Sequence, residues 1–263
     1  CMHSAPVSLF EKIPDLTQII GNGQNICLIF NLECIDNSRC LRSGQNLNGI
    51  QRHIHWIADL PNITPAILSN GQLSELEAVF DNHNIIMAPN SGYEIYTANL
   101  SWVLPDLNLI RQELTDIFSS VQESMGFALQ PEHLSFSQSE LWLKVSAGAE
   151  AVRNEVIAQF KARNPTRLRL SVHNDQVMIS PRTKWDRGKA VLKILDMARR
   201  PDYQLPVPIY FGVEEDDESA FQAVNKIGFS VIIHNRIPRT TEARYFLRDA
   251  AELSKFLFWI HSR

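Results

Sequence analysis

Tyr210-Phe211-Gly212-Val213-Glu214-Glu215-Asp216-Asp217-Glu218-Ser219-Ala220-Phe221 sets an acidic run directly behind an apolar stretch, Pro208 to Phe211, that reads as a buried strand. Taken alone, residues 214–218 read as a solvated helix start, favoured by the helix dipole. Their place behind a strand adds a second reading, because in open α/β sheets ligands gather outside the carboxyl ends of the strands. Working outward, three other segments hold equivalent places. Trp185-Asp186-Arg187-Gly188-Lys189-Ala190 leads into a helical stripe of Val191, Ile194, Leu195 and Ala198. Leu68-Ser69-Asn70-Gly71 closes a strand expected from Thr64 to Ser69, and Phe30-Asn31-Leu32-Glu33-Cys34-Ile35 follows Ile26 to Phe30. That last run is continuously apolar between turn residues, as expected of a strand buried on both faces.

Strand-like and helix-like runs alternate at both ends of the chain, the pattern of a parallel sheet covered by helices. The early block adds helices at 48–60 and 72–80, a strand at 85–87, and Tyr93 to Tyr96 as an edge strand. The late block adds a strand at Phe229 to Ile233 and a closing helix with Leu253, Phe256, Leu257 and Ile260 on its apolar face. Between them the rhythm changes. A helix over 106–123 precedes strands near Leu134–Phe136 and Leu141–Val145, a helix with Val152, Val156, Ile157 and Phe160, and a strand pair, 167–172 and 176–179, turning at His173-Asn174-Asp175. The expected architecture is α/β: a Rossmann-like core of 1–104 and 184–263, with an α-ββ-α-ββ cap inserted over 105–183. Phe136 and Trp142, on the first two cap strands, read as core packing, with a ligand-lining surface as the alternative.

The chain has 263 residues, a length suited to one large domain or a core with an insertion. Twenty-five basic residues against 29 acidic ones give a net charge of -4, and the chain shows no basic footprint for nucleic acid. No apolar run approaches a membrane span and the N-terminal residues lack a signal-peptide plan, so a cytoplasmic protein is expected. Cys27, Cys34 and Cys40 form no C-x-x-C pair and are read as reduced thiols, neither a disulfide frame nor a zinc site. His53 and His55, two apart on a helix, point in different directions and are not read as a metal pair.

In their order, with a cap between the second and third, the four motifs resemble the haloacid dehalogenase-like phosphatases, and among them the trehalose-6-phosphate phosphatase family. That family reads Trp-x-Lys-Gly-Lys-Ala, then Gly-Asp-Asp-Arg-Thr-Asp-Glu-Asp-Ala-Phe, then a Thr, Ala, Tyr, Leu series before a terminal helix. The last stands here as Thr241, Ala243, Tyr245 and Leu247. The resemblance runs from about residue 25 to 260 and implies a haloacid dehalogenase-like fold.

It also implies a set of roles, several of which this sequence departs from. The nucleophile position, an Asp in the family, is Asn31, whose neutral amide cannot form an acyl phosphate. The general acid/base position is Glu33, one methylene longer than Asp. Ser69 is kept as a phosphate-binding position, and Arg187 replaces the family's Lys, a planar fork for a compact ammonium. In the metal stretch the two acids after the glycine are Val213 and Glu214, and Asp217 stands where a family carboxylate stands. Mg2+ demands near-octahedral oxygen geometry, and valine supplies no oxygen. In the cap, the Glu and Lys that grip sugar hydroxyls fall on Ser135 and Ser137, and Lys144 opens the segment matched to the following His-Tyr-Arg. The expectation is therefore a pseudophosphatase needing no cofactor, which binds a sugar phosphate, another small anion or a protein partner. The alternative is an active Mg-dependent phosphoric monoester hydrolase acting on a sugar phosphate, with Glu33, Glu214 and Asp217 gathering the metal. A third reading is a subunit that docks an active sugar enzyme.

Overall fold

A computed structural model describes residues 5–32, 49–201, 204–213, 215–234 and 240–263. The chain divides into two compact units, Cys1–Trp102 with Trp185–Arg263, and Val103–Lys184. In chain order the first unit carries β1 (Val7–Ser8), α1 (Ile13–Gly21), β2 (Ile26–Asn31), α2 (Ile50–Ala58), β3 (Ile63–Leu68), α3 (Leu73–Val79), β4 (Ile86–Ala88) and β5 (Glu94–Tyr96). β6 (Ser101–Val103) ends at the boundary. The second unit holds α4 (Leu107–Met125), β7 (Leu134–Ser137), β8 (Trp142–Val145), α5 (Glu150–Arg163), β9 (Leu168–His173) and β10 (Gln176–Pro181). The first unit then resumes with α6 (Arg187–Met197), β11 (Val207–Gly212), α7 (Glu218–Val224), β12 (Phe229–Ile233), β13 (Tyr245–Leu247) and α8 (Ala250–His261).

The large sheet runs β1-β13-β12-β11-β2-β3-β4-β5-β6, parallel from β1 through β4, with β5 antiparallel to β4. β2 lies near its centre and every one of its residues is buried. Strand parity sorts its side chains. Ile26, Leu28 and Phe30 join one apolar layer with Ile50 and Ile54 of α2 and Leu253, Phe256 and Leu257 of α8. Cys27 and Ile29 join the opposite layer, with Val191 and Ile194 of α6 and Phe221 and Val224 of α7. Phe30 and Phe211 are register partners and stack at 5.0 Å, so the first layer is closed by an aromatic cross-strand pair. Full burial pushes the Cys27 thiol up to about 12. Cys34 and Cys40 lie outside the described residues.

The second unit is an antiparallel sheet, β7-β8-β10-β9, with α4 and α5. α4 buries Leu107, Ile110, Leu114, Ile117 and Val121, a stripe at helical spacing. The β9–β10 hairpin turns on Asn174 and Asp175, both at positive φ (45° and 64°), the geometry of a two-residue turn whose twist matches its strands.

Two details differ from the sequence reading. Residues 94–96 are not the edge: Thr97 N donates to Leu100 O and the chain doubles back, so β6 takes the edge position. Phe136 and Trp142 do not share one core face either. The register opposes Phe136 to Leu143 and Ser137 to Trp142, putting the two rings on opposite faces. Phe136 stacks on Phe118 of α4 at 4.7 Å, while Trp142 lies under the Lys144 ammonium at 4.1 Å. The fold is thus α/β, a parallel-dominated sheet core with an inserted α+β unit, as the sequence implies. Among the described residues, no helix is long and apolar enough to cross a membrane.

Candidate functional site

Asn31, Arg187 and Asp217 meet at the carboxyl ends of the core strands, and Ser69 lies at the end of the neighbouring strand. Asn31 is the last residue of β2, and its parity turns it to the side of Cys27 and Ile29, toward α6 and α7. Ser69 directly follows β3, Arg187 is the first residue of α6, and Asp217 immediately precedes α7. Asn31, Ser69, Arg187 and Asp217 are all buried.

Asp217 is the hub. Arg187 Nη1 donates to its Oδ1 at 2.7 Å, and the Tyr210 hydroxyl donates to the same oxygen at 2.6 Å. The Asn31 amide donates to Oδ1 at 3.1 Å and to Oδ2 at 3.0 Å, and the Val213 N–H donates to Oδ2 at 2.8 Å. An ionised carboxylate only accepts, which orients the Asn31 amide with its NH2 toward Asp217. The carboxylate folds back over Gly212, where an added Cβ would sit 2.7 Å from Asp217 Cγ, so a side chain at 212 would displace the hub. For the same reason Asp217 makes no cap bond to α7. Among the described residues of the acidic run, the exposed Glu215 and Asp216 fit a solvated helix start, whereas Glu218 accepts from Thr241 Oγ1 at 2.7 Å and from the Glu242 N–H.

Arg187 stands at the N-terminus of α6, where a cation opposes the helix dipole. Its burial therefore depends on a counter-charge, and Asp217 supplies it. The described residues do not fit Mg2+: both Asp217 oxygens accept from N–H or O–H donors, Asn31 turns its NH2 to the same carboxylate, and the Val213 side chain carries no oxygen. A divalent cation at Asp217 would also lie beside a guanidinium. Among the described residues no group of three or more His, Cys, Asp or Glu side chains is placed to hold a metal ion. Glu33 and Glu214 lie outside the described residues.

Around the hub, Arg187 Nη2 reaches Asn70 Oδ1 at 3.3 Å, and Ser91 Oγ donates to the same oxygen at 3.0 Å. Ser69 Oγ accepts from the Gly71 N–H at 2.9 Å. The turn Asn90-Ser91-Gly92 holds positive φ at all three residues and is tied down by Asn90 N to Gly71 O and Ser91 N to Ser69 O. A Cβ on Gly92 would come within 2.6 Å of Ala190 Cβ. Trp185 Nε1 donates to Gly92 O at 3.1 Å while its ring stacks on Trp102 at 4.6 Å. The Trp185–Ala190 motif is therefore a packing device as well as the carrier of Arg187.

In the cap, Ser135 and Lys144 are register partners, and Ser137 shares their face by strand parity. These three lie together on the sheet face of Trp142, opposite the Phe136 packing. Tyr210, Asn70 and Ser91 were not marked by the sequence. Tyr210 reads there as one more apolar strand residue, and the available signal was a hydroxyl two positions before Gly212 on the parity of Asn31.

No family model matches the chain. Trehalose 6-phosphate phosphatase RA3 of Zea mays is 40% identical over 90 residues, covering 32% of this chain and 24% of the relative. Trehalose-phosphate phosphatase B of Arabidopsis thaliana is 28% identical over 153 residues, covering 57% of this chain and 38% of the relative. The matched stretches thus span well under half of either relative. Among solved structures, trehalose-6-phosphate phosphatase of Aspergillus fumigatus aligns over 98% of this chain and 99% of its own, with a TM-score of 0.66 at 14% identity. A haloacid dehalogenase-like hydrolase from Bacteroides thetaiotaomicron aligns over 90% of this chain and 100% of its own, with a TM-score of 0.58 at 12% identity. Fold and local sequence together show a chain with the haloacid dehalogenase-like fold that resembles the trehalose-phosphate phosphatases.

Proposed function

We propose that this protein has lost phosphatase activity and acts by binding, either of a small phosphorylated or polyol ligand or of a protein partner. The observation that carries the reading is the Asn31 amide directed onto both oxygens of Asp217. Hydrolysis through a phospho-enzyme needs a carboxylate oxygen that displaces the alkoxide and forms an acyl phosphate. At that position this chain has a neutral amide. The carboxylate that would help hold a divalent cation is the partner of Arg187. Of the expected phosphate-binding pair, Ser69 is buried beside this network and Arg187 is a member of it.

The test is phosphate release from trehalose-6-phosphate and from an aryl phosphate, with and without Mg2+, in parallel with thermal melting against a panel of sugar phosphates. No turnover above background is expected, with any bound ligand raising the melting temperature unchanged by the protein. Mg2+-dependent turnover abolished by Asn31→Ala contradicts the reading.

A further inference from the structure

We propose that Asp217 is an intramolecular ligand: its carboxylate fills, and so closes, an anion site made by the Arg187 guanidinium, the Asn31 amide, the Tyr210 hydroxyl and the Val213 N–H. Those groups are donors converging on one carboxylate from three parts of the chain, β2, α6 and the end of β11, with distances of 2.6 to 3.1 Å. Such a convergence of N–H and O–H groups is what an oxyanion requires. Here the oxyanion comes from the protein itself, seven residues beyond Tyr210.

Charge decides the consequence. Arg187 and Asp217 form a pair whose side chains are 7% and 0% exposed. A phosphate entering at Arg187 must displace Asp217, which leaves a buried carboxylate without its counter-ion, or sit beside it, which brings two anions onto one cation. Both arrangements are disfavoured in a buried setting. The intact core therefore refuses inorganic phosphate at this position, and removal of the Asp217 carboxylate opens it to anions. The proposal rests on the non-hydrolytic reading of the site. A phosphatase assay run on the same samples separates the two: turnover by the unaltered protein overturns that reading, whereas phosphate binding without turnover overturns the present one alone.

The experiment is thermal melting of the full chain at constant ionic strength, with chloride replaced by formate or inorganic phosphate. The unaltered protein is expected to melt at the same temperature in all three salts. Asp217→Ala is expected to melt lower in chloride and to be raised saturably by formate and phosphate. The double variant Asp217→Ala/Arg187→Met is expected to show no such rise. If Asp217→Ala does not fold in chloride, recovery of folded protein from formate but not from chloride reads the same effect. Asp217→Asn, closer in volume, is expected to bind phosphate at least about tenfold more tightly than the unaltered chain. A saturable phosphate-induced rise in the unaltered protein, or indifference of both Asp217→Ala and Asp217→Asn to formate and phosphate, overturns the proposal.

Discussion

Arg187 Nη1 lies 2.7 Å from Asp217 Oδ1, and the two side chains, 30 residues apart in sequence, are buried together at the end of the central strands. Removing one partner of such a pair leaves an uncompensated buried charge, which costs about 3 to 5 kcal/mol. Arg187→Met and Asp217→Asn are each expected to be destabilised on that scale, in denaturant titrations followed by far-UV circular dichroism. The double variant is expected to lose less than the sum of the two, by about 1 to 3 kcal/mol. Strict additivity would show that the two side chains do not depend on each other.

Tyr210 has a narrower role. Its hydroxyl is 2.6 Å from Asp217 Oδ1, and its ring meets Phe221 edge-on at 5.7 Å. Tyr210→Phe keeps the ring packing and removes one donor to a charged acceptor, so a loss of about 1.5 to 3 kcal/mol is expected. The same measurement in the Asp217→Asn background should show a smaller loss. An equal loss in both backgrounds would place the cost in the ring packing.

The fold was legible where burial is continuous. β2, β3 and β11 announce themselves as apolar runs, and the strand-end rule then singles out Ser69 with Asn31, Arg187 and Asp217, the last three of which hydrogen bonds join. The direct ion pair was not legible, because no periodicity links residues 187 and 217; the sequence reading assigned the first to phosphate and the second to metal. Tyr210 was hidden for a different reason, its apolar ring qualifying it for a buried strand while its hydroxyl carries the polar role. β1, with two residues, exists only through its register with Tyr245 and Phe246 of β13. The separation of Phe136 from Trp142 is set by hairpin register, with Leu141 at a positive φ of 57° in the turn.

On the α2–α8 face, His53 lies with its ring 5.4 Å from that of His261 and its Nε2 3.0 Å from Ser254 Oγ. Burial first, and then the charges of His261 and Arg52, hold it below its ordinary value of 6.5. The unfolded chain therefore takes up a proton at a pH where the folded chain does not, and this group lowers stability as the pH falls through and below that value. The melting temperature of His53→Gln is expected to fall less between pH 7.5 and 5.5 than that of the unaltered protein. An equal or steeper fall in the variant would remove His53 from the acid sensitivity.

The central claim is that the carboxylate at 217 belongs to Arg187 and Asn31 rather than to a metal ion. A crystal soaked in Mg2+ with a phosphate analogue tests it most directly. The account predicts Asp217 still paired with Arg187 and Asn31 and no octahedral density at its oxygens; Mg2+ coordinated by Asp217, with Arg187 swung onto the phosphate analogue, would contradict it.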